Sequence, residues 1–151
     1  MPRAGSIAAR IGIGAVAIVI VAGMAMLATS GGKARVHTLS PNDVTARTGV
    51  VLPAGAHKVD ARMTVRGRPW IAIRFQVPAN EVDATLAANH VPPLQEGATV
   101  LRNGDDLGIR WRPLDAKHLA GVIERLPDGR MRKVEVLWGV TPDPQICIVI
   151  R

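Results

Sequence analysis

The chain lacks most of the residues on which common catalytic and metal sites are built. It has a single cysteine, Cys147, which excludes an intramolecular disulfide and any Cys-x-x-Cys metal or redox motif. Its three serines all lie within the first 40 residues, which argues against a serine hydrolase. The four histidines show no metal-ligand spacing, and there is no glycine loop of the phosphate-binding kind. The sequence therefore predicts no catalytic residues, no metal site and no cofactor.

Aromatic residues are scarce as well. There is no tyrosine, one phenylalanine and three tryptophans, so the core of a folded domain must consist mainly of valine, isoleucine, leucine and alanine. A glycosidase needs two acids that converge in space, and the sequence has enough dispersed acids for such a pair. A domain with so few aromatic side chains to stack on sugars nevertheless makes this reaction class the weaker expectation.

The longest uncharged run extends from Ile11 to Gly32 and is apolar up to Leu27. It has 22 residues, and a helix needs roughly 20 apolar residues to cross the hydrocarbon core of a bilayer. We therefore expect four parts. They are a cytoplasmic tail at residues 1–10, a single-pass transmembrane anchor at 11–32, a juxtamembrane linker at 33–49 and an extracytoplasmic domain at 50–151.

The orientation of this anchor follows from the length of the segment after it. Such a segment is long enough to be translocated largely regardless of its charge, so we expect the N-terminus inside and the C-terminal domain outside the cell membrane. The alternative is a signal peptide that is cleaved, followed by secretion. The apolar run is, however, longer than the ~7–15 residues typical of the apolar region of a signal peptide.

Residues 57–89 predict a hairpin followed by a helix. Two runs of alternating polar and apolar residues, 57–66 and 70–77, flank the turn 67–69 and read as paired strands. The side chains expected to face the core on the second strand are Ile71, Ile73, Phe75 and Val77, and those expected to face outward are Trp70, Ala72, Arg74 and Gln76. Asn80 is a plausible cap for a helix over Glu81–Asn89, which Pro92-Pro93 would end.

The last third of the chain predicts more strands. Asn103-Gly104 lies between two segments of strand character, 98–102 and 107–112, which favours a second hairpin. Residues 116–126 fit either a helix or a strand that leads through the turn 127–129 into 131–138, and we favour the strand. The terminal segment 145–151 is apolar on both faces, which is typical of a central strand. The expected fold is α+β, a mainly antiparallel sheet of five to seven strands with one helix packed on one face.

From residue 48 to the C-terminus, a series of short motifs resembles small membrane-anchored or lipid-anchored actinobacterial extracytoplasmic proteins of uncharacterised function. The motifs are Leu52-Pro53-Ala54-Gly55-Ala56, Arg74-Phe75-Gln76-Val77-Pro78, Trp111-Arg112-Pro113, a hairpin at Gly129, and Pro142-Asp143-Pro144 before the terminal strand. The resemblance implies a location and a fold outline, and it implies no site residues.

The predicted outward faces collect cations on the side of the sheet opposite the helix. The set consists of Arg62, Arg66, Arg74, Arg110, Arg112 and Lys133, with Trp70 nearby. Arginine binds phosphate and carboxylate groups through paired hydrogen bonds, so this face is a candidate surface for an anionic partner. The alternative is a solvated sheet face whose charge is diluted by Asp60 and Glu135.

These observations predict a non-catalytic binding or accessory module on the membrane. Its partner would be another envelope protein, an anionic headgroup or an anionic polymer. No nucleic acid is expected, because the chain from Val36 onward has 15 Lys and Arg against 12 Asp and Glu. Two other functions remain open. One is a small structural subunit of a membrane protein complex, and the other is an enzyme whose site is assembled from dispersed carboxylates and histidines.

Overall fold

The computed structural model describes residues 35–65, 69–102, 105 and 107–151. The predicted anchor at 11–32, Arg66 and the Asn103-Gly104 turn lie outside these residues. Among the residues that are described, no helix is both long and apolar enough to span a membrane.

Within the described residues, seven strands form one sheet in which every pairing is antiparallel. They are β1 (Val36–Thr38), β2 (His57–Thr64), β3 (Ile71–Gln76), β4 (Gln95–Glu96), β5 (His118–Arg125), β6 (Met131–Trp138) and β7 (Gln145–Ile150). Their order across the sheet is β1-β2-β3-β7-β6-β5-β4. Two helices, α1 (Pro41–Thr48) and α2 (Val82–Ala88), and two short 3₁₀ turns, Ala79–Glu81 and Pro113–Asp115, complete the fold. The predicted mainly antiparallel α+β architecture is confirmed, but two helices contribute to the core where one was expected.

The main core lies between the two helices and one face of the sheet. Ile71, Ile73 and Phe75 on β3 are fully buried there, beside Val44 of α1 and Val82 of α2. The inward face predicted for this strand is therefore confirmed. It follows from the two-residue period of a strand, which places every second side chain on the same face.

Three predicted strand arrangements are confirmed. β2 and β3 pair as a hairpin, and β5 pairs with β6 along its whole length through a turn in which Gly129 has a positive φ of 84°. The ambiguous segment 116–126 is thus largely strand. β7 lies in the centre of the sheet between β3 and β6, and all six of its residues are buried.

The predicted linker at 33–49 is wrong in its secondary structure, because β1 and α1 lie within it. Ser40 accepts a hydrogen bond from the backbone N–H of Asp43 and so caps α1, which ends at Gly49 in the left-handed conformation. Only Val44 of this helix is buried, so the segment carries no hydrophobic period. The cap predicted for α2 is also wrong: Asn80 lies in a 3₁₀ turn, and no side chain caps the helix.

The predicted hairpin around residues 103–104 is wrong as well. The described residues of 98–102 and 107–112 form no strand. They run as irregular chain against the second face of the sheet, and we call these residues, 98–102, 105 and 107–112, the strap. The backbone N–H groups of Val100 and Leu101 have side-chain acceptors in place of a partner strand, which satisfies them without a hairpin.

Candidate functional site

The strap covers the second face of the sheet. This face therefore forms a second hydrophobic core and is not the solvated surface that the sequence predicted. Ala72, Cys147 and Val149 of the sheet pack with Leu101 and Ile109 of the strap, and all five are buried. The basic face that the sequence predicted is therefore only partly open to solvent.

Glu135, which the sequence analysis placed on the solvated face, holds the strap from below. It is fully buried, and one carboxylate oxygen accepts hydrogen bonds from the backbone N–H groups of Val100 and Leu101 at 2.9 and 3.0 Å. The other oxygen accepts from the indole N–H of Trp111 at 3.2 Å. The expectation that Glu135 dilutes a surface charge is wrong, because its oxygens are occupied by the strap.

Lys133 also proves to be a buried structural residue. It is 6% exposed, and its ammonium group donates to Asp105 in the strap. Burial by itself raises the pKa of Asp105. The hydrogen bonds from Lys133 and from the backbone N–H of Arg102, together with the charges of Lys133 and Arg151, outweigh that effect and lower the pKa below its ordinary value. Lys133 is thus removed from the candidate surface.

Trp70 belongs to the same cluster and not to an open cation surface. Its indole N–H donates to the backbone carbonyl of Asp105 at 3.2 Å, and the Arg151 guanidinium lies 5.4 Å from its ring centroid.

The strap also lies so close to β5 that the residue beneath it must have no side chain. A Cβ on Gly121 of β5 would lie 2.7 Å from the backbone oxygen of Ala98.

Two of the predicted arginines bind the backbone of the C-terminal part of the strap, residues 107–112. Arg62 donates to both oxygens of Asp60, at 3.4 and 3.3 Å, and to the backbone carbonyl of Leu107 at 3.3 Å. Arg74 donates to the backbone carbonyl of Arg110 at 2.6 Å and lies 4.0 Å from Asp60. These guanidinium groups are therefore held in fixed positions by the protein itself.

An open cavity of about 450 Å³ lies where this end of the strap meets β2, β3 and β7. Four cations line it: Lys58, Arg74, Arg110 and Arg112. One carboxylate, Asp115, also lines it and lies 3.4 Å from Arg112. We call this cavity the basic pocket. Three of the seven predicted surface residues, Arg74, Arg110 and Arg112, meet in it.

Two cations of the basic pocket are available to a ligand. Lys58 and Arg110 are exposed, and neither side chain has a hydrogen bond or an ion pair with any residue that the structure describes. The pocket thus carries a clear excess of positive charge. Surface cations of this kind attract an anion with a strength that falls as salt is added.

Lys58 was not predicted, and its backbone explains its position. It has a positive φ of 49° at a point where the register between β2 and β3 shifts. Such a conformation is uncommon for a residue with a side chain, and bulges redirect side chains next to functional sites. The alternating sequence of β2 gives no sign of this irregularity, so the pattern alone does not reveal Lys58.

The floor of the basic pocket is polar but uncharged. Gln76 and Gln145 lie opposite each other on the paired strands β3 and β7, and each is 6% exposed. Gln145 donates to the hydroxyl of Thr141 at 3.3 Å, and that hydroxyl donates to the carbonyl of Asp143 at 2.6 Å. The side-chain amide of Gln76 has no hydrogen-bond partner among the described residues.

The histidines do not assemble a catalytic group in the described chain. His57 lies 3.2 Å from Asp143, with 40% of each side chain exposed. His118 shares an apolar cavity of about 460 Å³ with Glu96 and Asp83, but its ring nitrogen is 3.6 Å from Glu96, beyond a normal hydrogen bond. Within the described residues, no cluster of three or more histidine, cysteine or acidic side chains could hold a metal ion.

Comparison with known proteins adds no further constraint. No family model matches the chain, and neither a curated protein nor a solved structure matches it. The geometry of the basic pocket is therefore the basis for the proposed function.

Proposed function

We propose that the chain is a non-catalytic binding module on the outer face of a membrane and that it binds an anionic partner in the basic pocket. The observation that carries this proposal is the convergence of Lys58, Arg74, Arg110 and Arg112 on one cavity with a single carboxylate in its lining. Four segments of the chain, β2, β3, the strap and β7, contribute these groups or the glutamines beneath them. Cations scattered over a solvated surface would not converge on one cavity in this way.

The geometry supports binding in a second way, through the rigidity of the site. Arg74 is fixed by the carbonyl of Arg110, so it presents its remaining donors at a defined place. Fixing a charged side chain before the ligand arrives reduces the entropy lost on binding. Lys58 and Arg110 then remain free to close on the anion.

The test uses the full-length protein in a neutral detergent on immobilised polyphosphate. We expect retention at low salt and elution as salt is raised, because screening weakens exposed charge pairs. Lys58→Glu with Arg110→Glu should abolish retention and leave thermal stability nearly unchanged, since neither side chain has a described partner. Arg74 is unsuitable for this test because its substitution would also release the strap.

The control for the charge reversal is Arg47→Glu with Arg125→Glu. These exposed arginines lie on α1 and at the end of β5, do not line the basic pocket, and give the same change in net charge. We expect the control variant to elute close to the wild type. No retention of the wild type at low salt, or equal loss in both double variants, would contradict the proposal.

The location is proposed from the sequence and has its own test. We expect the full-length protein in the membrane fraction, with the C-terminal domain accessible to protease added outside the cell. Val19→Arg should impair insertion, because a central arginine costs roughly 2.5–3.5 kcal/mol on insertion scales. A mature form that begins near residue 30 and is released into the medium would show that the segment is a cleaved signal peptide.

A further inference from the structure

One polar side chain at the floor of the basic pocket has no structural use for its polarity. Gln76 is more than nine-tenths buried, lines the cavity, and makes no side-chain hydrogen bond within the described residues. No side-chain nitrogen or oxygen of the described residues is both shielded from solvent and without a partner. The Gln76 amide therefore reaches the open space of the pocket, whereas the amide of Gln145 is bonded to Thr141. An amide that faces a cation-rich cavity and has no partner among the described residues points to a ligand.

The two glutamines form a neutral subsite beside the cations. They are cross-strand partners on β3 and β7, so their side chains emerge next to each other on the same face of the sheet. An amide offers one acceptor oxygen and one donor nitrogen, which together match a hydroxyl group. Hydroxyl groups next to an anionic group are characteristic of polyol and sugar derivatives.

The arrangement of the cations favours a tetrahedral anion over a planar one. Lys58, Arg74 and Arg110 come from β2, β3 and the strap, so they approach the cavity from different elements. A carboxylate offers two oxygens in one plane, whereas a phosphate offers several oxygens in different directions and up to two negative charges. A cavity of about 450 Å³ also lies within the range of small-ligand sites.

We propose that the basic pocket binds a polyol phosphate unit, with the phosphate against Lys58 and Arg110 and a neighbouring hydroxyl on the Gln76 amide. This inference rests on the proposed function and specifies the ligand class for the same site. The chemistry is shared by a soluble or polymeric glycerol phosphate and by the headgroup of phosphatidylglycerol.

The first experiment measures binding of small probes to the full-length protein by calorimetry at constant ionic strength. We expect sn-glycerol 3-phosphate to bind at least tenfold more tightly than inorganic phosphate, and glycerol alone to show no binding. Equal affinities for the two phosphates would overturn the inference. That comparison needs no variant, and the polyphosphate test of the proposed function can succeed even if it fails.

The second experiment removes the amide and keeps the shape of the side chain. Gln76→Met should reduce the preference for glycerol 3-phosphate to less than twofold and leave inorganic phosphate binding unchanged. Because the Gln76 amide makes no hydrogen bond with a described residue, the variant should melt close to the temperature of the wild type. The matched control is Gln95→Met, an exposed glutamine on β4 outside the pocket, which should retain the full preference. An unchanged preference in Gln76→Met would overturn the inference.

A competition experiment identifies the source of the phosphate. Poly(glycerol phosphate) and phosphatidylglycerol vesicles are added separately to protein that carries bound glycerol 3-phosphate. Displacement by the polymer identifies an envelope polymer, and displacement by the vesicles identifies a lipid headgroup. Failure of both to displace the probe would count against a polyol phosphate as the ligand.

Discussion

Substitution of Glu135 by glutamine tests whether the strap depends on this buried carboxylate. Both oxygens of Glu135 face donors, the N–H groups of Val100 and Leu101 on one side and the indole N–H of Trp111 on the other. Glutamine has the same shape but only one acceptor oxygen. Whichever way its amide is turned, the NH₂ group meets at least one N–H donor.

The expected loss can be estimated from that clash. An unsatisfied buried donor costs about 1–3 kcal/mol, a large share of the roughly 5–15 kcal/mol that stabilises a typical domain. With a urea m value of about 2 kcal/mol/M, a loss of about 2 kcal/mol lowers the unfolding midpoint by about 1 M. Glu135→Leu leaves all three donors without an acceptor and should be several times more damaging.

Urea unfolding of the full-length protein and hydrogen exchange at Val100 and Leu101 measure the two parts of this effect. Faster exchange at these amides would show that the strap is released. The control is Glu96→Gln, in which the same chemical change is made at a side chain that is 83% exposed. It should stay within about 0.5 kcal/mol of the wild type. An unchanged midpoint and unchanged exchange in Glu135→Gln would refute the assigned role.

Three further predictions concern the stability of the full-length protein. Phe75→Ala should cost about 3–5 kcal/mol in denaturant unfolding, because the ring is fully buried, whereas Leu114→Ala should be neutral at a side chain that is 98% exposed. A melting temperature within about 2 °C of wild type would contradict the assigned face, because a loss of about 1 kcal/mol already lowers it by roughly 2–8 °C. Gly121→Ala should cost about 1–3 kcal/mol through the collision with Ala98, and a neutral result would mean that the strap can shift. The lowered pKa of Asp105 stabilises the fold above the ordinary pKa of about 3.9, and this contribution should disappear as pH falls further. Asp105→Asn should flatten the pH dependence of the melting temperature there, and an unchanged slope would exclude this role.

The parts of the fold that follow a simple period were predictable from the sequence. β3 alternates strictly, so its buried face could be assigned residue by residue. β7 is apolar on both faces, which indicated a central strand before any pairing was known. The hairpin of β5 and β6 was favoured by the turn at Gly129. The other face of β3 was not predictable in this way, because Ala72 and Gln76, which were expected to face outward, are buried.

The strap could not be predicted, because its structure depends on residues far away in the sequence. The Asn103-Gly104 pair is a strong local signal for a hairpin, and the flanking residues have strand character. In the folded chain, however, the backbone of residues 100–101 is bound by a side chain 34 to 35 positions later. α1 was missed for a related reason, since one buried valine cannot produce a visible helical period.

The candidate site shows what the alternation of polar and apolar residues leaves undecided. Arg74 and Gln76 on β3, and Lys133 and Glu135 on β6, have the same outward position in the same sheet, and the alternating pattern predicts the same solvated environment for all four. The strap covers one pair and leaves the other beside a cavity. The polar groups of Lys133 and Glu135 bind the strap, whereas the Gln76 amide has no hydrogen-bond partner among the described residues. The proposed binding residue thus differs from the structural ones in the hydrogen bonds that it does not make, and this difference depends on neighbours far away in the sequence.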